Sequence, residues 1–304
     1  MFLKTPRAST DPRVRSLLQK AARRGYTQIV ELALERLDFS GDKAWLRSRS
    51  VVITFEECWP LAASLAVGRE LSSKRAALLS VTKASKQKDA AGLGALAYAY
   101  SEGDRSMLDC VPDQFALRLV AEALKRPTEF FEWVIGQSKV QESTKAILSA
   151  QRYLAVATWQ WDKACILAGA LLATTSDMVM SSAVAPTDEF PYWVALDKHT
   201  PEGKTALSEI AREIDVPYRQ LIWASFYFES TSVNRLSPSV WWDAEKAWRL
   251  RRSGLSLGAA EDLWSQARPL VRLHLEGEAS SLKKFVETAE APWLFPAREK
   301  SVPE

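Results

Sequence analysis

Two short segments combine acidic and basic side chains in a way that suits chemistry on a charged substrate. Asp197, Lys198 and His199 are consecutive, and Asp89 directly follows Lys88. A carboxylate beside a lysine stays ionised, because the positive charge favours its charged form. Histidines change charge near neutral pH, so His199 is suited to positioning water or contacting a phosphate. We therefore predict Asp89, Asp197 and His199 as catalytic residues, with a helix cap or a solvated ion pair as the alternative role for the aspartates.

Basic side chains are concentrated in two stretches. Residues 1–24 carry seven lysines and arginines against one acid, and residues 69–88 carry six against one. Such clusters neutralise phosphates and release counterions, which gives affinity for DNA that does not depend on base sequence. Solvated helix faces are the alternative. We predict that seven basic residues bind DNA, namely Arg23, Arg24, Lys83, Lys86, Lys88, Lys198 and Lys204. The last two lie at the start of a predicted helix, whose unpaired backbone amides also favour anions.

Aromatic side chains are abundant, with twelve tryptophans in the chain. Most are expected in the core, but aromatic rings also stack on bases that have left a duplex. Trp193 lies four residues before Asp197, so we predict that Trp193 stacks on a base. Residues 241–252 mix tryptophan with arginine and lysine. This pattern predicts an amphipathic helix that either lies along DNA or packs on the first half of the chain.

Other catalytic chemistries lack their residues. Residues 203–205 (Gly-Lys-Thr) resemble the end of a P-loop, but Lys198 stands where that pattern requires a glycine. Two histidines, His199 and His274, are too few for the common multi-histidine metal centres, and no GxSxG or HExxH motif occurs. The three cysteines form no CxxC pair. We therefore predict no metal, no other cofactor and a reducing, cytoplasmic location.

The spacing of apolar residues predicts an all-α fold. Prolines are absent from residues 61–111 and 128–185, and both stretches are rich in helix-forming residues. The β-prone residues 51–55 lie between segments of helical character, so we predict helix there too. The most apolar stretch, residues 164–174, is about half the roughly 20 residues that cross a bilayer. It predicts a buried helix and no membrane partner.

A change of composition predicts a division of the chain into two parts. From Thr174 to Pro191, threonine, serine, alanine, proline and aspartate replace the preceding aliphatic residues, which is typical of a loop. We predict a basic helical domain over residues 1–180 and a tryptophan-rich helical subdomain over residues 185–304, packed on the first. The sequence does not indicate an oligomeric state.

Three stretches are similar to segments of a known family of helical domains. The first spans residues 21–62, where AARRG, ELALE and WLRSR are followed by VVITFEECWPLA, with Glu56 and Glu57 in acidic positions. The second is KASKQKDA, residues 83–90, and the third is ALDKHTPEGK, residues 195–204, which matches the pattern A-L-D-x-H-T-x-x-G-K. On these residues the chain resembles the C-terminal helical domain of the MgsA/RarA (WHIP-related) AAA+ ATPases, and more closely the stand-alone phage, plasmid and defence relatives of that domain.

The resemblance implies stacked helical hairpins, similar to a clamp-loader collar, without the ATPase. In the ATPases this region supports oligomerisation and replication-linked DNA transactions. One group of stand-alone relatives consists of anti-phage DNA glycosylases, which flip out and excise a glucosylated hydroxymethylcytosine to leave an abasic site. The resemblance implies this activity here, with modified phage DNA as the partner. The alternatives are a non-catalytic DNA-binding or oligomerisation module, and a protein that binds a phage replication protein through exposed aromatic residues.

Overall fold

The computed structural model of this chain describes residues 11–39, 43–66, 71–155, 157–175, 181–233 and 236–288. Within these residues the fold is all-α, as predicted, with thirteen α-helices and no strand. Three isolated β-bridges join loop residues, among them Cys58 with Gln87 and Ala84 with Ser182. Residues 51–55 lie inside a helix, and residues 181–191 of the predicted loop are not helical.

Thirteen α-helices follow one another along the described residues. The first nine are α1 (Pro12–Arg24), α2 (Thr27–Phe39), α3 (Lys43–Cys58), α4 (Leu71–Lys83), α5 (Asp89–Ser101), α6 (Gln114–Ala123), α7 (Pro127–Gln137), α8 (Gln141–Leu154) and α9 (Gln160–Thr175). The other four are α10 (Pro201–Glu213), α11 (Tyr218–Ser225), α12 (Val240–Arg251) and α13 (Leu257–Glu287). Shorter turns are the 3₁₀ helices Trp59–Ala66 and Tyr192–Ala195 and the π-helix Phe226–Ser230.

Capping residues define the ends of two helices beside the functional site. At the start of α1 the carboxylate of Asp11 accepts a hydrogen bond from the amide of Arg13 at 2.9 Å, and Gly25 ends the helix with a φ of 86°. Glycine suits this left-handed conformation because it has no Cβ. At the start of α10 the hydroxyl of Thr200 accepts a hydrogen bond from the amide of Gly203 at 3.1 Å. Both helices therefore begin at residues that the sequence specifies locally.

Two large hydrophobic clusters and one small cluster fill the interior of the described residues, and the two large ones do not follow the predicted division of the chain. The first joins α1 and α2 to α10, α11 and α13, and the second joins α5 to α9 with residues of α12. The first two helices thus share a cluster with the C-terminal helices. The predicted parts, residues 1–180 and 185–304, do not each enclose a cluster of their own.

Helix α5 crosses its neighbours α9 and α12 at close range because it carries glycines. A Cβ added to Gly94 would lie 2.6 Å from the backbone of Cys165, and one added to Gly92 would collide with the backbone of Trp241. Trp241 and Trp248 are buried, so α12 packs on the first half of the chain. Residues 164–173 of α9 are all buried, as predicted. In the described ranges, we find no helix with the length and apolar character that a membrane span requires.

Candidate functional site

A cavity of about 580 Å³ opens between α1, α3, α9, α11 and α12. Seven cationic side chains line it, namely Arg15, Lys20, Arg23, Arg49, Lys88, Lys198 and Arg249. The lining carboxylates are fewer, namely Glu56, Asp162 and Glu245. Six aromatic side chains complete the walls, namely Trp45, Trp159, Trp161, Trp223, Phe226 and Trp242. An excess of positive charge beside flat apolar surfaces suits an anionic ligand that carries a planar ring.

Glu57, a fully buried carboxylate, holds two of the cations in place. Its Oε1 lies 2.6 Å from Nη2 of Arg23, and its Oε2 lies 3.0 Å from Nζ of Lys88. Burial opposes ionisation of Glu57, but the charges of Arg23 and Lys88 outweigh burial and lower its pKa to about 2. The Lys88 amine also lies 4.6 Å from the centroid of the Trp242 ring. Glu57 therefore positions Arg23 and Lys88 at the cavity wall.

Asp197 forms a second buried ion pair and orients a histidine. Its Oδ2 accepts a hydrogen bond from Nζ of Lys20 at 2.6 Å, and its Oδ1 lies 2.9 Å from Nδ1 of His199. Burial raises the pKa of Asp197, but Lys20 and His199 outweigh it and hold the pKa well below its usual range. An ionised carboxylate only accepts hydrogen bonds, so in the neutral imidazole of His199 the proton lies on Nδ1 and Nε2 is the hydrogen-bond acceptor. Lys20 and His199 both line the cavity.

Asp162, in the first turn of α9, has a carboxylate oxygen that is free of hydrogen bonds. Nη1 of Arg49 donates to Oδ1 at 3.0 Å, whereas no donor among the described residues binds Oδ2. Burial raises the pKa of Asp162 despite the neighbouring Arg49. The Arg49–Asp162 pair ties α3 to α9 at the cavity wall, and Arg49 also contacts Glu56 of its own helix at 3.1 Å. Asp162 thus presents a desolvated acceptor at the cavity.

Glu245 lines the cavity from α12 and is buried. The hydroxyl of Tyr227 donates to its Oε2 at 2.6 Å, and Nε of Arg249 lies 3.3 Å from its Oε1. Burial raises the pKa of Glu245. Sequence reasoning did not select the three lining carboxylates Glu56, Asp162 and Glu245. Of these, only Glu56 had a signal in the sequence, since it belongs to the acidic pair of the family-like first stretch.

The π-helix Phe226–Ser230 shapes the wall beside α11, and arginines of α1 hold it. Arg24 donates to the carbonyl of Glu229 at 2.7 Å and to its carboxylate at 2.8 Å, and Arg23 donates to the carbonyl of Ser230 at 2.6 Å. These bonds occupy carbonyls at the end of the turn. Such single π turns occur frequently at functional sites. Arg24 therefore supports the site from within and does not line the cavity.

The predicted DNA-binding residues other than Arg24, which supports the π-helix, divide into three groups. Arg23, Lys88 and Lys198 line the cavity, while Lys83 and Lys204 are exposed outside it. Lys86 is fully buried, and its amine donates to backbone carbonyls at the end of α4, including that of Val81 at 2.6 Å. The structure corrects the prediction for Lys86, because an amine occupied by buried carbonyls cannot reach a phosphate.

Two other predicted site residues lie outside the cavity. Trp193 is buried in the first hydrophobic cluster and stacks on Trp264 at a centroid distance of 6.4 Å. Asp89 accepts hydrogen bonds from the hydroxyl of Ser239 and the amide of Trp241, both at 3.0 Å, and thereby caps the start of α12. The predicted stacking role of Trp193 is corrected to core packing. For Asp89 the alternative role of helix cap is the one that its contacts show.

The geometry defines an all-α protein with a cationic, aromatic-lined cavity and buried carboxylates behind its wall. In the described part of the chain, no group of three or more histidine, cysteine, aspartate or glutamate side chains is placed to hold a metal ion. No protein-family model, no curated protein and no solved structure matches this chain. The resemblance to the helical domain of MgsA/RarA proteins therefore stays a prediction.

Proposed function

We propose that the protein is a DNA glycosylase that takes a base out of the duplex and releases it to leave an abasic site. The substrate class that the sequence resemblance implies is a glucosylated hydroxymethylcytosine in phage DNA. One observation carries the proposal: a single cavity combines seven cationic and six aromatic side chains. Cations attract the phosphates of DNA, and aromatic faces stack on unpaired bases.

The size and openness of the cavity suit an extruded nucleotide. Enzymes that act on a base cannot reach the target atoms inside a duplex, so they rotate the nucleotide into a pocket of their own. A volume of about 580 Å³ lies within the range of roughly 300–1,000 Å³ that is usual for ligand sites. Trp159, with 72% of its surface exposed, provides an aromatic face to an approaching strand.

The polar groups of the cavity suit cleavage of an N-glycosidic bond by water. Nε2 of His199 takes a proton from the water while the water oxygen bonds to C1′, and the base departs with the electrons of the C1′–N bond and is protonated by solvent. Asp197 keeps His199 in the required tautomer. The free oxygen of Asp162 stabilises the positive charge that develops on the sugar.

The test compares duplexes that differ only in one base. One duplex carries cytosine and the other carries glucosylated hydroxymethylcytosine at the same position, and alkali then cleaves any abasic site. After alkali treatment we expect cleavage of the strand that carries the modified base and no cleavage of the strand that carries cytosine. Binding at low ionic strength without abasic sites on any modified DNA would favour the non-catalytic module, and the absence of both binding and cleavage would refute the proposal.

Trp159→Ala is expected to weaken binding of single-stranded and modified DNA without destabilising the fold. Stacking of one base on an aromatic ring contributes about 1–3 kcal/mol, so Kd rises about 5- to 150-fold in fluorescence anisotropy titrations. The unfolding free energy changes by less than about 0.5 kcal/mol, because Trp159 is exposed. Trp133→Ala is the matched control, since Trp133 is 41% exposed and does not line the cavity. Equal effects of both substitutions would contradict a stacking role for Trp159.

A further inference from the structure

Lys198 presents an amine without an ionic partner to the cavity. Its Nζ lies 3.7 Å from the ring centroid of Trp223 and 4.0 Å from that of Phe226. It makes no hydrogen bond or ion pair with any residue in the described ranges. Lys20 and Lys88, which line the same cavity, are each bound to a buried carboxylate. Lys198 is thus the lysine of this cavity whose amine remains available to a ligand.

Burial favours the neutral, nucleophilic form of Lys198, whereas the rings of Trp223 and Phe226 favour its charged form. Burial lowers the pKa of Lys198 to about 8, and the positive charges of Arg249 and Lys20 act in the same direction. The negative charges of Asp197 and Glu245 act against it. At neutral pH the free amine of Lys198 is therefore more populated than that of an ordinary lysine.

We propose that Lys198 is the nucleophile of a second activity, cleavage of the DNA strand at an abasic site through a Schiff base. The inference rests on the proposed function, because it requires an abasic sugar in the cavity. Trp223 and Phe226 suit this chemistry, since aromatic faces stabilise a cation without donating or accepting a proton. The protonated imine carries the same positive charge as the protonated lysine, so the rings of Trp223 and Phe226 stabilise both cations.

The reaction proceeds in three balanced steps. The ring-opened abasic sugar exposes an aldehyde at C1′, to which the neutral Nζ of Lys198 adds. The carbonyl oxygen leaves as water, with one proton from the amine and one from solvent, to give a protonated imine. The imine acidifies C2′, whose proton passes to solvent while the C3′–O bond breaks and the 3′ phosphate departs with the electron pair. Water then hydrolyses the imine and restores the free amine.

Borohydride trapping on DNA with a preformed abasic site tests this inference. The probe is a duplex with one abasic position, and borohydride reduces the imine to a stable covalent complex. We expect the wild-type protein to be trapped and the adduct to map to Lys198 by mass spectrometry. Lys198→Gln should abolish trapping, whereas Lys139→Gln, a change at an exposed lysine outside both the cavity and the predicted DNA-binding set, should leave it intact. Circular dichroism of both variants confirms folding, and replacing a lysine that has no ionic partner leaves no charge newly unpaired.

The outcomes separate this inference from the proposed function. Because the probe already contains the abasic site, trapping does not require base release. An untrapped wild-type protein, or a Lys198→Gln variant trapped as well as the wild type, would overturn the role of Lys198. Cleavage of modified DNA after alkali treatment, which cuts every abasic site whether or not Lys198 acts on it, still decides the glycosylase proposal by itself.

Discussion

Glu57→Gln is expected to lower the free energy of unfolding by about 3–5 kcal/mol, the largest effect on stability that we predict for a single substitution. Glu57 is fully buried and lies within 3.0 Å of both Arg23 and Lys88, which are buried as well. The neutral amide keeps the shape of the side chain but leaves two buried cations without a counter-charge. Leaving buried charges without a partner lowers the free energy of unfolding far more than breaking an exposed ion pair does.

The effect of Glu57→Gln should depend on pH with a defined sign. The pKa of Glu57 is lowered from 4.5 to about 2 in the folded protein, so the unfolded chain takes up a proton first as the pH falls. The stability from the Glu57 charge is therefore fully present above pH 4.5 and is lost as the pH falls towards 2. Urea denaturation at several pH values should show the difference between wild type and variant shrinking over this interval.

Glu35→Gln provides the control for the Glu57 substitution. The side chain of Glu35 is 57% exposed and lies 3.5 Å from Arg75. Exposed ion pairs of this kind contribute about 0–1 kcal/mol. If Glu57→Gln costs no more than Glu35→Gln, the buried network does not stabilise the cavity wall in the way that its geometry indicates.

Asp162→Asn and His199→Ala are each expected to slow base release by about 10²- to 10⁴-fold in single-turnover assays. The neutral amide that replaces the Asp162 carboxylate cannot stabilise positive charge on the sugar, and the His199 variant lacks the group that accepts a proton from water. Binding of DNA should persist in Asp162→Asn, because removing a negative charge does not weaken attraction to phosphate. Folding should persist as well, since Arg49 retains Glu56 as a partner.

Asp89→Asn is the matched control for the change at Asp162. Asp89 caps α12 outside the cavity, and asparagine caps a helix nearly as well as aspartate. The Asp89→Asn variant should release the base at the rate of the wild-type protein. A wild-type rate in Asp162→Asn, or a large loss in Asp89→Asn, would show that the catalytic carboxylate has been assigned to the wrong residue.

The helices could be predicted because their determinants are local. The apolar residues 164–174 of α9 and the helix-forming residues around positions 51–55 indicated helices that the structure contains. Caps such as Asp11 and Thr200 act within three residues of themselves. The division of the chain could not be predicted in the same way as its helices. It depends on which helices share a hydrophobic cluster, and no local sequence pattern indicates which helices pack together.

The candidate site could be predicted only in part. Asp197 and His199 are two positions apart, and the structure brings them together at the cavity. Trp193 carries a suitable side chain, but it packs against Trp264, which is distant in sequence. Lys86 also carries one, but backbone carbonyls such as that of Val81 occupy its amine. Asp162 had no signal, because its partner Arg49 precedes it by more than a hundred residues.

By itself the sequence determined the helical class of this protein, its capped helix ends and an acid–histidine pair. These properties follow from interactions between residues within about four positions of one another. Only the tertiary structure decided which cations pair with Glu57 and Asp197, which aromatic rings line the cavity and which lysine remains without an ionic partner. The physical reason is that desolvation and ion pairing depend on every group within a few ångströms, and helix packing alone determines those neighbours.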